Sequence, residues 1–178
     1  MTEQSLDITL SEAGGTELTT RSGDRLTLRP VTPADAERVD RFYEGLTAED
    51  LRFRFLSAQP HLSDALLTSL IDIDHRHREH LLAFASSGEL VASLLIAADP
   101  GFETAEVAIA VAPAFKGRGV GWSLLHHAVD LARERGIKRL QSIESRANRG
   151  AIEIEHALGF RSSDYDGDAT LALLEIDL

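Results

Sequence analysis

Apolar residues alternate with polar ones in some stretches of the chain and recur every three or four residues in others, and these two rhythms divide it into elements. RLTLRPV, residues 25–31, has period two and predicts a strand. Thr32, Pro33 and Asp35 then supply an N-cap, a proline at the first helical position and an early acid, which predicts a helix through about Tyr43. Thr47 and Asp50 have capping-box spacing ahead of LRFRF, and Ser63-Asp64 opens a further helix over ALLTSLIDI. The rhythm returns to strand with LLAFAS, a turn at Ser87-Gly88, ELVASLLIAA, a turn at Asp99-Pro100-Gly101 and TAEVAIAV, which together predict an antiparallel meander. From Trp122, the positions Leu124, Leu125, Ala128, Leu131 and Ala132 keep helical spacing up to Gly136, a residue suited to the left-handed C′ position. KRLQSIES reads as a strand, and Asn148 caps a helix that ends at Gly159, with Phe160 placed for the Schellman contact. ATLALLEIDL, after the Asp166-Gly167 turn, is a closing strand. Residues 1–20 are polar and sustain no period, so they read as a flexible arm or a loosely attached strand ahead of one domain over residues 21–178.

Composition narrows the chemistry. With 178 residues and 43% apolar content, the chain suffices for one core. It has no cysteine, which excludes disulfides, thiolate metal sites and a cysteinyl acyl intermediate, so any acyl transfer must be direct. No long uncharged apolar stretch and no basic-then-apolar leader are present, so neither a membrane partner nor export is expected and the location expected is cytoplasmic. The balance of 18 basic against 29 acidic residues, net −11, repels nucleic-acid phosphates and anionic membranes. No nucleic-acid partner is therefore expected; the acidic surface serves solubility and favours cationic partners such as amines.

The glycines at 117, 119 and 121 sit between a strand and a helix and are the first candidate site. Amides in a first helical turn have no intrahelical partner, the helix dipole adds about half a positive charge, and glycines let an oxyanion approach several N–H groups together. Lys116 and Arg118 add cations beside them. A dinucleotide fingerprint requires a third glycine where Trp122 stands, and a P-loop requires its lysine after the glycines, not before them. On local chemistry alone, a turn that merely closes a strand-to-helix loop remains the alternative. The strand, turn, helix and following strand form a βαβ unit, for which a right-handed crossover is expected.

KGRGVG, residues 116–121, resembles the Q/R-x-x-G-x-G/A signature of the GNAT superfamily of N-acetyltransferases, with Lys116 in the Q/R position. The resemblance extends over about 150 residues from Arg25. RLTLRPVTPADAERVDRFYEGLTAEDLRFRF is similar to the opening strand and helices of such domains, TAEVAIAVAP to their fourth strand, and NRGAIEIEHALGF to their Asn-initiated helix. It implies an α/β (α+β) GNAT fold: a twisted, mixed, mostly antiparallel sheet of about seven strands flanked by helices. It also implies acetyl-coenzyme A as cosubstrate, its pyrophosphate on the amides of Gly117, Arg118, Gly119, Val120 and Gly121. The pantetheine arm would lie in a gap between splayed strands and pair with main chain near Ile109 and Val111. Asn148 matches an asparagine that contacts the arm, a role compatible with capping.

The same resemblance bears on catalysis. An amine nucleophile must lose a proton, because a lysine side chain is almost wholly protonated at neutral pH. Glu106 shares a strand face with the small residues Ala108 and Ala110, which leaves room for a water-mediated base; pattern alone equally allows an ordinary solvent-facing glutamate. AEVAIAV is similar to the strand that carries the base in bacterial protein lysine acetyltransferases, which gives Glu106 that role. Many relatives carry a proton-donating tyrosine seven residues after the asparagine; Glu155 stands there, and a glutamate donates poorly at neutral pH unless its pKa is strongly raised, so the general-acid role is not carried over and the thiolate is expected to leave unaided. Arg52 and Arg54 are expected to be solvated or paired with Glu49 and Asp50. Interleaved arginines in DHRHREH, residues 74–80, oppose a metal, as does the divergence of His126 and His127 on a helix, so no metal site is expected. The resulting expectation is an N-acetyltransferase acting as a monomer or homodimer on a primary amine, preferably a protein lysine. A small-molecule amine or a non-catalytic coenzyme A sensor are the alternatives.

Overall fold

The computed structural model describes the main chain of residues 9–10 and residues 15–57 and 61–178 in full. Among the described residues, nine strands form one sheet in the order β1-β2-β3-β4-β5-β6-β7-β9-β8. The strands are β1 (Thr9–Leu10), β2 (Thr16–Thr19), β3 (Arg25–Pro30), β4 (Arg78–Ala85), β5 (Leu90–Ala98), β6 (Thr104–Val111), β7 (Arg139–Ser145), β8 (Arg161–Tyr165) and β9 (Asp168–Asp177). The helices are α1 (Ala36–Glu44), α2 (Ala48–Phe55), α3 (Asp64–Ile71), α4 (Val120–Glu134) and α5 (Arg149–Ala157). Every described strand pair is antiparallel except β6 with β7, the pair joined through α4.

The caps behave as their residues dictate. Thr47 Oγ1 accepts from the Asp50 amide while the Asp50 carboxylate accepts from the Thr47 amide, and Ser63 Oγ accepts from the Leu66 amide. At the end of α4, Gly136 takes φ 74° and the Ile137 amide reaches back to the Ala132 carbonyl. Phe160 repeats that bond onto the Glu155 carbonyl after Gly159 and is itself buried.

Two cores lie on opposite faces of the sheet. One contains Leu94, Val107, Leu124, Leu125, Ala128 and Leu140, so α4 packs here against β5 and β6. The other contains Val39, Tyr43, Leu51, Leu70, Leu82 and Ala110, under α1 to α3. Burying Leu124 or Leu125 contributes about 1.5–3 kcal/mol each. In the second core His80 is wholly buried, its Nδ1 at 2.7 Å from the Leu70 carbonyl and its Nε2 at 2.7 Å from Ser93 Oγ, which in turn meets Tyr43 Oη. Burial holds His80 neutral, with a pKa lowered to about 4.

Three features depart from the expectation. The sheet has nine described strands instead of about seven. β2 joins the domain ahead of residue 21, because Leu18 faces the core at 1% exposure, so the flexible-arm boundary does not hold for residues 16–20; residues 1–8 and 11–14 of that arm lie outside the described residues. β8, RSSDY, is exposed along nearly its whole length and forms through pairing with β9 alone.

Candidate active site

The parallel ladder between β6 and β7 covers three residue pairs, Thr104 with Arg139, Ala105 with Leu140 and Glu106 with Gln141, and then stops. β6 continues to Val111 and β7 to Ser145, so the strands part and leave a cleft that opens toward their C-terminal ends. The Ala112 amide bonds to the Val91 carbonyl and the Asp99 amide to the Thr104 carbonyl, which sets the phase of β6: even-numbered residues bond to β5. The Val107 N–H closes the ladder on the Gln141 carbonyl, and beyond it Ile109 and Val111 turn their N–H and C=O groups into the cleft, where the ladder supplies no partner. An amide-bearing ligand can pair with such an edge as a strand would.

That edge leads through Pro113–Phe115 into the glycine loop at the start of α4. The first helical bond runs from the Ser123 amide to the Gly119 carbonyl, so the amides of Val120, Gly121 and Trp122 have no helical partner. Gly117 and Gly119 adopt φ 72° and 81°, and a Cβ on Gly119 would also come within 3.2 Å of the Arg21 main chain. Backbone conformation thus requires glycine at 117 and 119. Gly121 is different: its backbone is ordinary helix and a Cβ would meet only Ile154 Cδ1 at 3.5 Å. The fold accepts a side chain there, and its absence leaves the helix terminus open to close approach. The loop fits a pyrophosphate.

The cations beside the loop are already engaged. Lys116 binds Asp50 at the start of α2, and Arg118 grips Asp24 with two nitrogens. Burial pushes the Asp50 carboxyl up, but hydrogen bonds from Lys116 and Thr47 outweigh it and hold the pKa below its ordinary value. Arg21 stacks on Trp122 at 3.7 Å from the ring centroid. An anion at the loop therefore competes with two carboxylates for Lys116 and Arg118.

Glu106 occupies the last pair before the cleft opens and is exposed. With Ala108 and Ala110 it faces the side of α1 to α3, whereas Ala105 and Val107 face α4. Asn148 stands at the N-cap of α5, but its side chain makes no capping bond; its Nδ2 donates to Glu144 Oε2 at 2.9 Å instead. The capping role expected for that side chain is thus replaced by a bond to the half-buried Glu144 carboxyl. Arg52 meets Glu49 at 3.8 Å as expected, whereas Asp50 goes to Lys116, and Arg54 keeps Nε and Nη2 buried without hydrogen-bond partners.

A pair of acids along β7 and α5 was not anticipated. Burial raises Glu144 to about 7, against the opposing pull of the Asn148 hydrogen bond and the Arg54 charge. Burial raises Glu155 to about 8, with the Glu144 charge adding to it and the Ser142 hydrogen bond opposing it. Ser142 Oγ donates to Glu155 Oε1, and Glu155 Oε2 is buried without a partner. A signal for this existed in the sequence: Ala151, Glu155 and Leu158 share helical spacing, so Glu155 falls on the inward face of α5.

Comparison with known proteins agrees with this geometry. The model of the acetyltransferase (GNAT) family matches residues 42–160. An acetyltransferase of Pseudomonas aeruginosa is 30% identical over 161 residues, 88% of this chain and 86% of that protein. The GNAT domain of S. lividans PAT is 30% identical with a TM-score of 0.85, covering 96% of this chain and all of that one. A spermidine N-acetyltransferase from Vibrio cholerae, solved with CoA and spermine, shares the fold at a TM-score of 0.70 and 16% identity, over 85% of this chain and 95% of that one.

Proposed function

The chain belongs to the GNAT acetyltransferase family and is an N-acetyltransferase, and from that premise we propose that it moves an acetyl group from acetyl-coenzyme A directly to a primary amine, preferably a protein lysine side chain. The observation that carries this is the cleft: a strand edge with free main-chain groups leads straight into unpartnered helix-terminal amides. Val120, Gly121 and Trp122 receive the pyrophosphate through their amides, with Lys116 and Arg118 released from Asp50 and Asp24 to flank it. Ile109 and Val111 pair with the pantetheine arm and orient the thioester, and the Val111 amide is suited to polarise its carbonyl oxygen.

Glu106 acts as general base on the face under α1 to α3, through a water where its carboxylate does not touch the nitrogen directly. A net charge of −11 favours a cationic acceptor. The lysine preference rests on the similarity of AEVAIAV and of residues 46–74, LTAEDLRFRFLSAQPHLSDALLTSLIDID, to bacterial protein lysine acetyltransferase domains. No described helix is long and apolar enough to cross a membrane.

Calorimetry with coenzyme A and acetyl-coenzyme A tests the binding half of the proposal. A screen of acetyl-coenzyme A consumption over proteins, polyamines and amino acids tests the acceptor. Saturable binding with acetylated protein lysine supports it; turnover confined to free polyamines or amino acids replaces the acceptor, and binding without turnover on any amine replaces the enzyme reading with a sensor.

A further inference from the structure

Arg54 has a guanidinium edge that the fold leaves unpaired. Its Nε and Nη2 atoms are buried and have no hydrogen-bond partner. These two nitrogens lie on the same side of the planar guanidinium, the edge that takes both oxygens of one carboxylate. The group stays charged at every working pH, and a buried cation with unmet donors is destabilising. The acids around it are engaged elsewhere: Glu49 meets Arg52, Asp50 meets Lys116 and Thr47, and Glu144 accepts from Asn148. Acids therefore stand near the guanidinium, and none pairs with its open edge.

Position connects this edge to the cleft. Asp50 and Arg54 are four residues apart and share one stripe of α2. Asp50 holds that stripe against Lys116, just past the end of β6, and α2 packs on β6. Beyond the effect of burial, the Arg54 charge acts on His80, in the core under α1 to α3, and on Glu144, on the β7 wall of the cleft. Arg54 therefore stands on the side of the cleft that Glu106 faces, opposite the α4 core. The residue is half-buried in the last turn of α2, flanked by exposed Arg52 and Leu56, so it lies at the margin of the domain.

We propose that Arg54 binds a carboxylate of the acceptor while the acceptor amine lies at Glu106. This rests on the acetyl-transfer reading above and narrows its acceptor: the amine that turns over best carries a carboxylate. For the protein lysine of that reading, the carboxylate is an aspartate or glutamate beside the lysine; the α-carboxylate of a free amino acid is the other source of the same group. The pairing satisfies the unmet donors and neutralises a charge that burial penalises, which an amide in the same place does not do. Because the edge reads two coplanar oxygens, a lysine at this position is a poor substitute.

The test compares matched acceptors. A capped peptide with Glu on either side of its lysine is set against the same peptide with Gln, and Nα-acetyl-lysine against its amide. The unaltered chain is expected to favour the carboxylate member of one pair by about tenfold in kcat/KM, mostly through KM, and that pair names the source. Arg54→Gln abolishes the preference and Arg54→Lys retains about threefold of it, while both leave the coenzyme A Kd within about twofold. Arg54→Gln removes an uncompensated cation, so its thermal midpoint is expected at or above that of the unaltered chain. Without turnover, the Arg54 Nε–H resonance, identified by its loss in Arg54→Gln, shifts when the preferred carboxylate acceptor is added to the chain loaded with coenzyme A, and stays in place with the amide member. Equal kcat/KM within both pairs, or a preference that persists in Arg54→Gln, overturns the proposal. A chain that transfers acetyl to no amine overturns the parent reading first; a chain that acetylates carboxylate and amide acceptors equally overturns this inference alone.

Discussion

Glu155→Gln turns the buried acid into a measurement of stability. The folded chain keeps a proton on Glu155 up to about pH 8, whereas the unfolded chain releases it near 4.5. Between those values the folded state binds more protons than the unfolded one, so this group makes stability fall as pH rises through the window, and the fall ends above pH 8. At about 1.4 kcal/mol per tenfold change in proton affinity, the ceiling is about 5 kcal/mol. Relaxation and water entry reduce it, and about 2–4 kcal/mol is expected. Glutamine has the same shape, bonds Ser142 and carries no charge. Urea unfolding at pH 5.5 and 8.5 reads the difference, and comparing variant with parent cancels uncoupled titrating groups such as His80, which acts in the opposite sense; Glu144, whose charge raises Glu155, acts in the same sense and is part of the effect read. Relative to its difference from the parent at pH 5.5, the variant should gain about 1.5–3 kcal/mol at pH 8.5, since about 2.5 of the 3.5 pH units of the window lie between the two. An equal difference at both pH values would show that Glu155 ionises like an exposed glutamate and would refute the reasoning.

Four further substitutions test the site. Gly121→Ala should leave thermal stability nearly unchanged, since its Cβ meets only Ile154, yet weaken coenzyme A binding at least tenfold by calorimetry; Gly119→Ala should lose more than about 1 kcal/mol of stability because φ 81° and the Arg21 main chain both oppose it. Asp50→Asn releases Lys116 and should tighten coenzyme A binding about threefold at low ionic strength, an advantage that vanishes in high salt. Glu106→Gln should cut kcat at neutral pH about 100-fold with coenzyme A affinity preserved, measured by thiol release under saturating acceptor.

Much of the fold was legible because its signals are local. Thr47, Ser63, Gly136 and Gly159 fix helix ends through bonds to residues a few positions away, and the alternation in TAEVAIAV reflects β6 facing two different cores. β2 and β8 were hidden for the opposite reason: TELT buries a single leucine and RSSDY almost nothing, so neither imposes a period. At the site, the glycine loop is a contiguous motif and was visible. Its electrostatics were not, because Lys116 and Arg118 find acids 66 and 94 residues away. The turning of Asn148 from its cap to Glu144 likewise depends on β7 holding that half-buried acid beside α5.

The central claim is that the odd-numbered main chain of β6 and the first turn of α4 hold coenzyme A together. Residue-resolved amide exchange, with and without saturating coenzyme A, tests it directly. Slowed exchange at Ile109, Val111, Val120, Gly121 and Trp122, with the β5-bonded amides of Ala108 and Ala110 unchanged, is the predicted result. Exchange at those five amides that is indifferent to millimolar coenzyme A would contradict it.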